Sequence, residues 1–176
     1  MKSKKTIKNF AFIDGQNVHL GVKSCGWTLD YRKFRLYLKN KYFVQEAFLF
    51  IGQVPGNEAL YTYLQRCGYI LVFKPTLEIK KGKETIVKGN VDAELVLHAM
   101  IEFNNYNMAF IVSNDGDFHC LIDYLFERRK LGKIVVPNKH YSKLLHKFER
   151  YIVRIDMLRP QLEQNKKTKI SGRSKP

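Results

Sequence analysis

The sequence predicts one α/β domain with a central, mainly parallel sheet, and two patterns carry that prediction. Short apolar runs alternate with amphipathic segments along the chain, which is the order of strands and helices in this fold class. The runs are continuous rather than alternately apolar and polar, as in parallel strands that helices cover on both faces. With 176 residues, of which 45% are apolar, the chain can bury a core of its own.

Predicted strands and helices follow one another from the amino terminus. The strands cover residues 10–13, 47–51, 69–73, 108–112 and 133–136, with residues 151–155 as a candidate for a last one. The helices cover residues 30–40, 57–67, 91–103, 117–130 and 141–150. Helical spacing of apolar side chains indicates the first two helices, Asn90 can cap the third, and Gly68 and Gly132 end the second and fourth.

Two segments depart from this alternation. Residues 77–87 contain two short apolar stretches around Lys80-Lys81-Gly82-Lys83, which predicts an exposed hairpin with a basic tip. That tip is either a solvated turn or an arm that contacts phosphates. After Pro160 the chain becomes polar and basic, so we expect a domain over residues 1–159 and a disordered tail over residues 160–176.

The charge balance indicates an anionic partner. Lys and Arg total 31 against 16 Asp and Glu, a formal net charge of +15, which favours nucleic acid or an anionic membrane surface. The three cysteines form no C-x-x-C pair, which argues against a zinc site or a disulfide framework. No apolar stretch is long enough to span a bilayer, and Asp14 interrupts the first one, which argues against a signal peptide. We therefore expect a cytoplasmic protein that does not enter the membrane.

Acidic residues stand at the ends of predicted strands. Asp14 follows the first strand, and Asp115 and Asp117 follow the fourth. Ligands bind at the carboxyl ends of the strands in open parallel sheets, so these carboxylates converge if the two strands are neighbours. Asp92 lies at the start of a predicted helix. Crowded carboxylates repel one another unless a cation compensates, and Mg²⁺ prefers oxygen ligands.

Each of these aspartates also has a purely structural interpretation. Asp14 and Asp115 each precede a glycine and can form a turn, Asp117 can cap the helix after it, and Asp92 can favour the positive end of its helix. Any one of them alone is better explained in this way. Four aspartates at strand ends or helix starts shift the balance towards a metal site that cuts a phosphodiester bond held by the basic surface.

Three segments carry a family resemblance. Phe12–Val18, FIDGQNV, resembles the F-I-D-G-x-N-L motif of the NYN domain family, the LabA-like branch of the PIN-like nucleases. Lys88–Asp92, KGNVD, resembles its K-G-V-D motif with one residue inserted. Ser113–Phe118, SNDGDF, resembles its S-G-D-x-D-F motif. The motifs occur in family order and span most of residues 8–155, so the set is more specific than any one member.

The resemblance implies a PIN-like Rossmannoid three-layer sandwich and a metal-dependent endoribonuclease. It implies Mg²⁺ or Mn²⁺ as cofactor and RNA as partner, although single-stranded DNA stays an alternative and a homo-oligomer is left open. The residues that it implies as catalytic groups and metal ligands are Asp14, Asp92, Asp115 and Asp117. Asn17 and Ser113 are the residues that it implies for substrate binding.

The sequence departs from the family pattern at two positions. Asn114 replaces a glycine, and Asn tolerates left-handed backbone better than most residues. His98 stands where the family often has a further Asp, and it is either a metal or phosphate ligand or a packed side chain, of which we favour the second.

Competing functions are few. Gln16 replaces the second Asp that a haloacid-dehalogenase-like phosphatase needs, and the glycine motifs of P-loop and dinucleotide-binding enzymes are missing. The serious alternative to the nuclease is a non-catalytic RNA-binding module on the same fold.

Overall fold

The structure, a computed structural model, describes residues 8–75, 77–81, 84–88 and 91–165. The strands are β1 (Asn9–Asp14), β2 (Val44–Gln53), β3 (Ile70–Pro75), β4 (Leu77–Lys81), β5 (Glu84–Lys88), β6 (Met108–Val112), β7 (Leu131–Val136) and β8 (Ile152–Arg154). The α-helices are α1 (Gly15–Lys23), α2 (Tyr31–Tyr42), α3 (Glu58–Arg66), α4 (Asp92–Ile101), α5 (His119–Glu127) and α6 (Arg159–Leu162). Segments of 3₁₀-helix cover Gly116–Phe118, Lys143–Tyr151 and Asp156–Leu158.

The main sheet has six strands in the order β3-β2-β1-β6-β7-β8, and every neighbouring pair is parallel. This arrangement confirms the predicted central parallel sheet. The chain starts in the middle with β1, winds outwards to β2 and β3, and then returns to fill the other half from β6 to β8. The winding direction therefore reverses between β1 and β6, where an open α/β sheet leaves a crevice at the carboxyl ends of its strands.

Helices cover both faces of the sheet and form three layers. Because side chains of β1 alternate between the faces, Phe10 and Phe12 enter one core, and Ala11 and Ile13 enter the other. The first core includes side chains of α4, α5 and the 143–151 segment. The second includes side chains of α1, α2, α3 and α6. No helix in the described part of the chain combines the length and apolar character needed to cross a bilayer.

Helix α1 is not among the predicted elements. Only Val18 and Val22, one turn apart, are buried apolar residues of this helix, so its periodic signal in the sequence is weak. The helix forms because Asp14 caps it and because Gly15 lets its first turn approach β2. A Cβ atom at Gly15 would lie 2.9 Å from the carbonyl oxygen of Phe50.

The carboxyl-terminal part differs from the prediction in two ways. The predicted helix over residues 141–150 is instead a 3₁₀ segment that is kinked at Phe148 (φ −107, ψ 22). The packed chain also continues past residue 159, where we expected the tail to begin. Leu162 is buried in α6 and Glu163 bridges to Leu29, which ties residues 159–163 to the domain. The rest of the predicted tail, residues 166–176, lies outside the described residues.

The predicted hairpin is present. Strands β4 and β5 pair antiparallel, with Leu77 opposite Lys88 and Lys81 opposite Glu84. Residues 82 and 83, at the tip, lie outside the described residues, so the choice between a solvated turn and a phosphate-contacting arm stays open.

Candidate metal centre

Three acidic residues meet in a cleft at the crevice of the sheet. Asp14 is the last residue of β1, and β6 is its neighbour, with Ile13 paired to Val112. Asp115 follows β6 by three residues, and Asp92 opens α4. The cleft has a volume of about 280 Å³ and is called here the acidic cleft; it is lined by Asp14, Gln16, Asn17, Leu20, Val91, Asp92 and Asp115. The expected convergence of carboxylates from β1 and β6 is therefore present.

Three carboxylates are close enough to share one ion. One oxygen each of Asp92, Asp115 and Asp117 lies within 4.8 Å of the other two. The first two side chains are half-buried and the third is exposed. Asp14 is the fourth predicted ligand and is not part of this trio, although it shares the cleft with Asp92 and Asp115.

Asp14 is held in an environment that disfavours its negative charge. The residue is only 7% exposed, and its pKa is raised from 3.8 to about 6, with burial as the largest cause. The hydrogen bond from the backbone of Asn17 opposes this rise, and the negative charges of Asp92 and Asp115 contribute to it. A cation in the acidic cleft would therefore relieve an unfavourable potential.

Two of the aspartates also cap helices. Asp14 Oδ1 accepts a hydrogen bond from the backbone N–H of Asn17 at 3.0 Å, at the start of α1. Asp115 Oδ1 accepts one from the backbone N–H of Asp117 at 3.0 Å, at the start of a 3₁₀ turn. The structural role of these two residues is thus a cap rather than the turn expected from the glycine after each, and the cap expected at Asp117 is absent, because α5 begins after Phe118 without a side-chain cap. A carboxylate has two acceptor oxygens, so a cap leaves capacity for a cation.

Asn17 joins the first turn of α1, which follows Asp14, to the loop that carries Asp115. Its Nδ2 donates to Asn114 Oδ1 at 2.6 Å, and its Oδ1 accepts from the backbone N–H of Asn114 at 3.1 Å. Ser113 is buried, and its Oγ accepts from the backbone N–H of Asp115 at 3.2 Å. Both predicted substrate-binding residues therefore hold the loops in place, and contact of either with a substrate stays a prediction.

Asn114 has a positioning role that sequence reasoning missed. Among the described residues other than glycine, only Phe43 and Arg129 have positive φ, so Asn114 needs no left-handed backbone. Its Nδ2 instead donates to the carbonyl oxygen of His140 at 2.8 Å. The loop after β7 is thereby tied to the loop after β6. The departure from glycine was visible in the sequence, but the partner of the amide was not.

His98 lies against the core. Its Nδ1 is 3.2 Å from the carbonyl oxygen of Glu94 in its own helix, and its ring meets the ring of Phe50 edge-on at 5.5 Å between centroids. It does not line the acidic cleft. The structure therefore places it as the packed side chain that we favoured.

The donor set suits a hard divalent cation. All the groups are carboxylate oxygens, the ligands that Mg²⁺ and Mn²⁺ prefer. Two oxygens on one Mg²⁺ lie at most roughly 4.2 Å apart, so the separations in the trio are close to those that a shared ion requires.

The comparisons with known proteins agree with this geometry. The model of the NYN domain family matches residues 10–157, most of the chain. The chain belongs to the NYN domain family. The match includes β1, β6 and all four aspartates of the site, and it accords with the PIN-like arrangement of the sheet. NYN domains are in general nucleic-acid-binding domains of the nuclease class.

A solved structure has a similar fold. The crystal structure of a protein of unknown function from Vibrio parahaemolyticus superposes with a TM-score of 0.73 at 22% identity, covering 93% of this chain and all of that one. At this identity the likeness shows the fold alone. The comparison with curated proteins gave no match.

Proposed function

We propose that this NYN domain is a metal-dependent endoribonuclease of the LabA-like branch, cytoplasmic, that hydrolyses RNA phosphodiester bonds at the acidic cleft with Mg²⁺ or Mn²⁺. The observation that carries the proposal is the trio Asp92, Asp115 and Asp117, whose oxygens lie within 4.8 Å of one another. The trio adjoins the crevice between β1 and β6, where the fold class places its ligands.

The roles follow from the contacts. Asp92, Asp115 and Asp117 would hold the ion, and Asp14 would complete the set directly or through water. When bound, such an ion supplies an activated water and neutralises charge on the phosphate. Asn17 and Ser113 keep the loops of Asp14 and Asp115 in register through their hydrogen bonds.

The side chains of the acidic cleft favour direct attack by water. Among the residues that the structure describes, those that line it are aspartates, amides and aliphatic groups, without a serine, cysteine, lysine or histidine. Such a lining offers acceptors for a water proton, and its only candidates for a covalent intermediate are the aspartates, which would be engaged with the metal ion. Hydrolysis in a single displacement at phosphorus therefore fits the lining best.

A basic loop lies beside this site. Lys139, His140 and Lys143 are exposed and follow β7, and their loop is tied to Asn114. A strand of RNA whose phosphate reaches the acidic cleft would pass the two lysines of this loop, and Lys and Arg contacts to phosphates supply most non-specific affinity. The loop is therefore our candidate for holding the RNA backbone.

A cleavage assay tests the nuclease. Labelled single-stranded RNA is incubated with Mg²⁺, Mn²⁺ or EDTA and with wild type, Asp14→Asn or Asp30→Asn. Asp30 is a matched control, because it caps α2 as Asp14 caps α1 but does not line the acidic cleft. We expect metal-dependent cleavage by wild type and Asp30→Asn, with a loss in Asp14→Asn. Binding by all three without cleavage would support the non-catalytic module instead, and parallel reactions with single-stranded DNA measure the RNA preference.

A salt titration tests the basic loop. Each phosphate contact on a single strand contributes about −0.7 to the slope of log K against log salt, so Lys139→Ala/Lys143→Ala should flatten that slope by about 1.4. Lys39→Ala/Lys41→Ala removes the same charge from the end of α2, which leads into the amino end of β2 at the opposite edge of the sheet. Equal slopes for the two double variants would remove the basic loop from the RNA path.

A further inference from the structure

A second and larger cavity adjoins the acidic cleft. It has a volume of about 650 Å³, within the range of roughly 300–1,000 Å³ that is usual for small-molecule sites. Its lining comes from the start of α1, from β2 and α3, from residues 28–31 at the start of α2, and from Gln164. Leu49 and Leu64 in it are buried, whereas Leu60 and Tyr63 are 41% and 37% exposed. This cavity is called here the apolar pocket.

The lining of the apolar pocket selects a neutral ligand. Among the described residues, its lining contains no Asp, Glu, Lys or Arg and has His19 as its one basic side chain, although the chain as a whole carries a net charge of +15. Between its aliphatic and tyrosine walls stand the side-chain amides of Gln16, Asn57 and Gln164. Amides on an apolar wall can read the donor and acceptor edge of a heteroaromatic ring.

Two of the polar groups are free to do so. Asn57 precedes α3, but its side chain makes no capping hydrogen bond. The hydroxyl of Tyr31 has no hydrogen-bond partner among the residues that the structure describes, and its ring lines the apolar pocket. Polar groups on an otherwise apolar wall fix the orientation of a ligand.

The apolar pocket and the acidic cleft are contiguous. Gln16 lines both of them. Gly15, in the wall of the apolar pocket, directly follows Asp14, so the two α-carbons are about 3.8 Å apart. A polynucleotide with one phosphate in the acidic cleft therefore has the adjoining base within reach of the apolar pocket.

From this arrangement we propose that the apolar pocket binds one unstacked nucleobase of the RNA, next to the phosphate that enters the acidic cleft. The proposal rests on the proposed function and gives it a base preference. Proteins recognise single-stranded RNA sequence mainly through splayed bases that stack on aromatic side chains and hydrogen-bond along their edges. Contiguity with the acidic cleft favours a base over a segment of a partner protein.

A pair of tryptophan variants tests the apolar pocket. Leu60→Trp fills it from the exposed rim, and Thr62→Trp places the same ring on an exposed position of α3 outside it. Binding of a fluorescein-labelled RNA octamer is measured by anisotropy with Ca²⁺ in place of the catalytic metal. Because Leu60→Trp should prevent one base from stacking in the apolar pocket, we expect it to lower the affinity for RNA roughly tenfold. The affinity of Thr62→Trp should stay close to that of wild type.

An abasic scan makes the test specific. One base at a time is removed from the octamer, and we expect a single position at which wild type loses roughly tenfold and Leu60→Trp loses nothing further. In Asn57→Ala, removal of the base at that position should lower the affinity for RNA less than it does in wild type. This variant replaces Leu60→Trp in the test if Leu60→Trp fails to fold. Equal effects of base removal in wild type and Leu60→Trp would overturn the proposal. The proposal would also be overturned if Leu60→Trp bound RNA as wild type does but had a different sedimentation coefficient. That result would assign the apolar pocket to a contact between protein chains.

The two proposals can fail separately. Metal-dependent cleavage that needs Asp14, without coupling between Leu60→Trp and any base, leaves the nuclease and removes the base site. Coupling to one base, without cleavage by wild type in Mg²⁺ or Mn²⁺, leaves a base-binding pocket on a non-catalytic module.

Discussion

Asp14→Asn should stabilise the metal-free protein at neutral pH. Burial and the neighbouring carboxylates raise the pKa of Asp14 from 3.8 to about 6, so its ionised form costs about 3 kcal/mol of stability above that range, at about 1.36 kcal/mol per pKa unit. Asn removes the charge and can keep the cap of α1, because Asn and Asp are about equally good caps. The free energy of unfolding should therefore rise by at most about 3 kcal/mol in Asp14→Asn.

The pH dependence has a definite sign. Because the pKa of Asp14 is higher in the folded than in the unfolded protein, the folded state holds the extra proton between about pH 3.8 and 6. Protonated Asp14 therefore contributes its full stability below about pH 3.8, and this contribution is lost as the pH rises through about 6. The advantage of Asp14→Asn should therefore be greatest at pH 7 and disappear towards pH 4.

Urea unfolding measures this effect. Wild type, Asp14→Asn and the control Asp30→Asn are unfolded in EDTA at pH 4, 5, 6 and 7, and then at pH 7 with Mn²⁺. Wild type should gain stability from Mn²⁺ and Asp14→Asn should gain less, since a ligand of the folded state stabilises it by mass action. Equal stability of the two proteins in EDTA at pH 7, or a difference that does not change with pH, would refute the reasoning.

Four further substitutions test the surroundings of the site. Gly15→Ala should lower stability by about 1–3 kcal/mol in urea unfolding, because its Cβ would lie 2.9 Å from the carbonyl oxygen of Phe50; an unchanged midpoint would contradict the close approach. Arg35→Met should cost at least about 2 kcal/mol in the same assay, because it leaves three carbonyl acceptors without their donor, and full stability would show that water replaces it. Asn17→Ala should reduce kcat more than RNA affinity, since it frees the two loops of the site, and a change in affinity alone would make it a substrate contact instead. His98→Ala should lower the melting temperature but leave cleavage within about threefold, since its ring packs on Phe50, and a loss of metal affinity would show that it is a ligand after all.

The parallel sheet was predictable because its signal is strong. A central strand such as β6 is a continuous apolar run whose residues 109–112 are all buried, which is typical of parallel strands covered on both faces. The convergence of Asp14 and Asp115 also followed from the sequence, through the rule that ligands bind at the carboxyl ends of parallel strands. What the sequence could not supply was the pairing of β1 with β6, on which that convergence depends.

Other features depend on contacts that no local pattern encodes. Helix α1 buries only two apolar side chains, and its stability comes from a cap and a close approach to β2. The use of Asn17 as a bridge to Asn114 joins residues 97 positions apart. The apolar pocket combines side chains of α1, β2 and α3, so a lining without Asp, Glu, Lys or Arg among the described residues appears only after the chain has folded.

The most direct test of the metal centre is calorimetric titration of Mn²⁺ into wild type, Asp115→Asn and Asp30→Asn. Asp115→Asn removes one charge from the trio but can keep the cap on the 3₁₀ turn, and Asp30→Asn makes the same change at a cap outside the acidic cleft. Saturable binding in wild type and Asp30→Asn, at least tenfold weaker in Asp115→Asn, is the result that the account predicts. Equal binding by all three proteins, or no saturable binding by any of them, would contradict it.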